Sequence, residues 1–137
     1  MAESSLLISE SGGVQVVRLT RSSILDSSQV ERITAELLTL VNGDAARMIV
    51  LDLRAVTFLS SQALGAFVTL REEARRNKSV VVFARIRPNI AEVFRITAMS
   101  KLFRFFDTTR EATDFLRASN TKSLLWGVRK SMRSGAR

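Results

Sequence analysis

The residues best placed to do chemistry are two adjacent serines, Ser60 and Ser61, with the carboxylates Asp26, Asp52 and Asp107 and the amines Lys78 and Lys101, in a chain without Cys or His. The missing residue types remove thiol nucleophiles, imidazole bases, ordinary zinc sites and disulfides. Ser61 holds the position of a nucleophile elbow, yet its flanks are Leu59 and Ala63 rather than glycines, and no imidazole can take its proton. A Ser-Lys dyad with Lys78 or Lys101 is the remaining formal route to hydrolysis, and it lacks the same flanking parts. Neither G-x-x-x-x-G-K-[ST] nor G-x-G-x-x-G occurs, so no nucleotide cofactor is expected. Asp26, Asp52 and Asp107 stand at element ends, where carboxylates commonly cap helices or close turns. The expectation is a protein that is not an enzyme, in which the serine pair serves as helix cap, as an exposed hydroxyl, or as a site of modification.

The elements that must position those serines follow from hydrophobic periodicity. Met48 to Leu53 is a short apolar run with β-branched residues, the mark of a strand covered on both faces. Past Val56 and Phe58, Ser60 and Ser61 are both good N-cap residues, and Leu64, Phe67, Val68 and Leu70 recur at helical spacing, predicting a helix to about Arg76. Upstream, Leu6 to Ser9 and Val14 to Leu19 read as two strands joined at Ser11-Gly12-Gly13, whose glycines tolerate positive φ. A helix is expected from Ser27 to about Val41, stopped by Asn42-Gly43. Downstream come a strand at Ser79 to Ala84, a short helix opened by Pro88, an edge strand within Phe103 to Phe106, and a last helix capped by Thr108-Thr109. The order is ββαβαβαβα, an α/β sandwich whose mixed sheet begins with a hairpin and continues through helical crossovers. Open α/β sheets gather functional loops at the carboxyl ends of their strands, which places Arg54 to Ser61 on the working edge.

The 137 residues suit one domain, expected over residues 5–117, followed by a tail at 118–137. The net charge of +8 sits mostly at the C-terminal end: Arg117, Lys122, Arg129, Lys130, Arg133 and Arg137 follow Asp114 with no acidic residue among them. The remaining 15 basic residues face 13 acidic ones, so the body is nearly neutral and no direct DNA binding is expected of it. Ser123 to Met132 sets Leu124, Leu125, Trp126 and Val128 beside Arg129 and Lys130, compatible with contact to an anionic membrane or nucleic acid, or with a solvated basic terminus. The N-terminus lacks the charge and apolar stretch of a signal peptide, and no apolar run approaches the roughly 18 residues of a membrane span, which makes a cytoplasmic location the default.

The segment Asp52, Leu53, Val56, Phe58, Ser60, Ser61, Gln62, Ala63, Leu64 and Gly65 resembles the D-L-x-x-V-x-F-x-D-S-S-G-L-G of the STAS family, whose bacterial members include the anti-sigma factor antagonists. Ile24-Leu25-Asp26 is similar to the family's G-x-L-D, and Arg87-Pro88, Val93-Phe94, Ile96 to Met99 and Leu102-Phe103 match its third-helix region. The resemblance implies a STAS-like sandwich, a mixed four- to five-stranded sheet packed with about four helices. It also implies an antagonist that binds an anti-sigma factor acting as serine kinase, is switched off by phosphorylation at Ser61, with Ser60 as rival acceptor, and is restored by a serine phosphatase. Its implied partner-binding residues are Asp26, Ser60, Ser61, Gln62, Ala63 and Leu64. This chain departs from the motif at three places, Ser60 for the aspartate, Gln62 for the second serine and Ala63 for the glycine. Some members of the family are unphosphorylated scaffolds or sensor modules, which gives the alternative reading.

Overall fold

A computed structural model describes residues 6–24, 27–43 and 47–129. Strands β1 (Leu6–Ser11) and β2 (Val14–Leu19) form the expected hairpin. Its two-residue turn needs positive φ at both positions, and Gly12 and Gly13 supply it at 58° and 85°. There follow β3 (Ser23–Ile24), α1 (Ser27–Gly43), β4 (Met48–Asp52), β5 (Phe58–Leu59), α2 (Ser61–Arg76), β6 (Val80–Ala84), α3 (Pro88–Ile96), a single 3-10 turn at Met99–Lys101, β7 (Phe105–Phe106) and α4 (Thr109–Arg129).

The main sheet has the order β1-β2-β4-β6-β7, antiparallel only between β1 and β2 and parallel from β2 onward. This is the mixed α/β sandwich expected, with the difference that β3 and β5 form a second, two-stranded parallel pair. Two-residue strands carry no periodicity to read, and backbone hydrogen bonds rather than side-chain pattern define them.

Alternation along the strands sorts two cores. Val17, Leu19, Ile49, Leu51 and Phe83 join residues of α1, α2 and α3 in the larger one. Val14, Val50, Val82 and Ala84 face the other way and are covered by Ala112 and Leu116 of α4. Each strand therefore shows opposite faces to the two helix layers, as the two-residue pleat requires. Within the larger core Phe83 lies 4.9 Å from Phe103, 5.3 Å from Phe67, 5.5 Å from Phe94 and 5.5 Å from Phe105, ring centroid to centroid. One ring of β6 thus ties α2, α3 and β7 together.

Helices α1 and α2 pack side by side and are tied at both ends. The Ser27 hydroxyl donates to Gln62 Oε1 at 3.0 Å near their N-termini, and Asn77 Nδ2 donates to the Val41 carbonyl at 3.2 Å near their C-termini. Helix α4 runs without interruption to Arg129, across the point where composition separates domain from tail.

Candidate functional site

The loop from β4 to α2 is fixed from three sides. At its start the Asp52 carboxylate is buried and accepts the Arg54 backbone N–H at 2.9 Å, closing the turn that leaves the strand. In its middle, Thr57 and Phe58 donate backbone N–H groups to the Ser22 carbonyl at 2.7 and 3.2 Å, and β5 pairs with β3 directly after. From the third side, Arg87 Nε donates to the Arg54 carbonyl at 2.9 Å and Asn89 Nδ2 to the Thr57 carbonyl at 2.8 Å. Ser22, Arg87 and Asn89 were not among the residues expected at the site. Motif spacing carries no signal for them, because they act on main-chain groups more than 30 positions away.

The serine pair divides its roles. Ser60 adopts an extended backbone, φ −84° and ψ 166°, and its Oγ accepts the Ala63 N–H at 3.1 Å, so Ser60 is the N-cap of α2. Ser61 is the first helical residue and is exposed. No acidic side chain lies in the first turn of α2, so the partial positive charge of the helix terminus is not neutralised there. Replacing Ser60 by Ala is expected to cost about 1 kcal/mol of stability through loss of the cap, read as a lowered midpoint in urea with unchanged slope.

Around Ser61 the exposed groups are Gln62, whose amide oxygen is held by Ser27, and the Phe58 ring, 55% exposed. A shallow groove of about 390 Å³ begins at Gln62 and runs between α1 and α2 past Glu31, Leu38 and Thr69. Two of the residues expected to face a partner do not. Ala63 and Leu64 are 2% and 6% exposed, because the helical period turns the positions three and four after the cap into the core. Asp26 lies outside the described residues, as do Lys130 to Arg137 of the tail and, in α4, the side chains from Asn120 onward, Trp126 among them. Asp107 is exposed just before α4, where Thr108 is the hydroxyl that accepts the Glu111 N–H at 3.0 Å. Lys78 and Lys101 are exposed and lie elsewhere in the fold: Lys78 closes the turn after α2 with its N–H on the Arg75 carbonyl, and Lys101 lies in the 3-10 turn.

The profile of the STAS domain matches residues 6–112. The chain belongs to the STAS domain family. Over 80 residues it is 28% identical to BtrV of Bordetella bronchiseptica, provisionally named an anti-sigma factor antagonist, covering 58% of this chain and 68% of that protein. Among solved structures, an anti-sigma-factor antagonist (STAS) domain protein from Planctomyces limnophilus superposes with a TM-score of 0.71 at 20% identity, over 82% of this chain and 97% of that one. The Bacillus cell fate determinant SpoIIAA in its phosphorylated form superposes with a TM-score of 0.62 at 20% identity, over 81% and 98%. At those identities the structural matches establish the STAS fold. Among the described residues no helix is long and apolar enough to cross a membrane, and no group of carboxylates is arranged to hold a metal ion.

Proposed function

We propose that this STAS protein is an anti-sigma factor antagonist, acting in the cytoplasm by reversible protein binding and switched off by phosphorylation of Ser61. The observation that carries the reading is a pair of hydroxyls with opposite fates on one fixed loop: Ser60 is engaged as helix cap while Ser61 stands exposed at an unneutralised helix N-terminus. A kinase needs an accessible hydroxyl, and Ser61 is the accessible one. The name of BtrV and the phosphorylated SpoIIAA structure support the same class of function.

In the unmodified state Ser61, Gln62 and Phe58 form the centre of the docking surface, with the α1–α2 groove leading away from it. The partner is an anti-sigma factor that also serves as the serine kinase, and a serine phosphatase reverses the modification. Phosphorylation adds about −1.5 to −2 charge and three acceptor oxygens at that centre. The helix terminus tolerates the new charge within the antagonist itself, so the fold survives. An interface that had closed over a neutral hydroxyl must instead bury an unpaired charge, and about 3 kcal/mol of such cost weakens binding roughly a hundredfold. A rigid loop suffices for this switch, since charge changes and backbone does not.

Titration calorimetry of the purified chain against the anti-sigma factors encoded in the same genome tests the reading. One of them is expected to bind with a dissociation constant in the micromolar range or below. Binding to none of them, with stable assembly on another signalling protein instead, would replace the antagonist by a STAS scaffold.

A further inference from the structure

On the α4 side of the sheet, away from the helix layer that carries Ser61, a cavity of about 330 Å³ opens at the carboxyl ends of the parallel strands. Three guanidinium side chains line it, one from the end of each of three neighbouring strands: Arg18 from β2, Arg54 just after β4 and Arg85 just after β6. Among the described residues the only carboxylate lining it is Asp52, and both of its oxygens are engaged: Oδ1 by the Arg54 N–H at 2.9 Å, Oδ2 by Arg18 Nε at 3.8 Å. Among the described residues Arg54 and Arg85 have no carboxylate partner, so the cavity holds a net excess of two positive charges. Ser9 and Thr109 add polar residues to the wall, while Leu7 and Val16 make an apolar side. Arg85 further sits at φ 59°, a left-handed conformation unfavourable for a non-glycine residue and held here by the N–H of Arg85 on the Phe106 carbonyl at 3.0 Å.

Like charges crowded into a partly enclosed space repel one another, and an anion placed among them relieves that repulsion while taking charge-assisted hydrogen bonds from planar, forked donors. A crevice outside the carboxyl ends of parallel strands is also where α/β folds hold ligands. The volume lies within the range of small-molecule sites and exceeds the need of a single phosphate group. We propose that this cavity binds a small phosphorylated metabolite, with its phosphate among Arg18, Arg54 and Arg85 and its organic body against Leu7 and Val16. The cavity lies on the α4 side of the sheet, and Arg54 at the start of the β4–α2 loop is the element it shares with the Ser61 surface.

The test is calorimetry and thermal shift on the full chain with inorganic phosphate, pyrophosphate and glycerol 3-phosphate, each against sodium chloride at matched ionic strength. Saturable binding by the phosphate probes, with an upward shift in melting temperature, is the expected result; tighter binding of glycerol 3-phosphate identifies an organic ligand. Equal binding by inorganic phosphate keeps the site and overturns the organic part. Arg54→Gln is expected to weaken binding about tenfold or more, consistent with loss of a charged hydrogen-bond donor. Arg85→Gly removes the third guanidinium while relieving the left-handed backbone, so it keeps the fold and is expected to lose binding by a similar factor. Lys101→Gln, in the 3-10 turn outside this cavity, should leave the affinity unchanged. No saturable binding by any probe, unchanged affinity in both arginine variants, or equal loss in the lysine variant would each overturn the proposal.

Discussion

Glutamate at position 61 is expected to weaken binding to the anti-sigma factor by roughly a hundredfold, whereas alanine at the same position changes it by less than about threefold. The asymmetry follows from where Ser61 stands. Its side chain is exposed at the first helical position, outside the cap hydrogen bond that Ser60 makes with Ala63, so alanine removes little that the fold or an interface relies on. A carboxylate at that position is stabilised in the free protein by the helix terminus, which has no acidic residue of its own in the first turn. The same carboxylate must be desolvated when a partner closes over Phe58 and Gln62. Calorimetry on the three proteins decides the matter, with circular dichroism confirming an unchanged fold. Equal affinity of the serine, alanine and glutamate forms would remove the switch. At Ser60 the order should reverse: loss of the hydroxyl there shows in stability first, because that oxygen belongs to the cap.

Replacing Phe83 by Ala is expected to cost about 3–5 kcal/mol and to remove most of the margin of a domain this size. Phe83 is fully buried and lies within 4.9 to 5.5 Å of four other phenylalanine rings, from α2, α3, β7 and the turn before β7. Truncation leaves a cavity bounded by elements that each hold a different crossover, so collapse of one wall cannot fill it. Phe83→Leu should recover more than half of the loss. Urea denaturation followed by circular dichroism measures both. A cost below about 1 kcal/mol for the alanine variant would mean that the aromatic cluster is not the hub of the larger core.

Where the chain repeats a side-chain pattern, the fold was readable from it. Strand β4 announced itself by a short apolar run that only Asp52 interrupts, α2 by the stripe from Leu64 to Leu70, α3 by Pro88, and the hairpin by two adjacent glycines, both of which take positive φ. The pair β3 and β5 was not readable, because two residues on each strand are joined through main-chain groups that every residue possesses. The site was legible in part for the same reason. Ser60 and Ser61 stood out as a capping pair, yet the residue type is identical and only the extended backbone at Ser60 and its bond to Ala63 assign the cap. Ala63 and Leu64 entered the docking face through their place in the motif, while the helical period buries them. Arg18, Arg54 and Arg85 are scattered over 67 positions and meet only because β2, β4 and β6 are neighbours in the sheet.

The central claim is that Ser61 is the residue whose modification controls binding, and phosphopeptide mapping by mass spectrometry addresses it most directly. The protein is recovered from its native cells in growth and in stress, and fragmentation resolves Ser60 from Ser61. Phosphate on Ser61, at an occupancy that changes between the two conditions, is the predicted result. Phosphate confined to Ser60, or none on either serine with the peptide fully covered in both conditions, would contradict it.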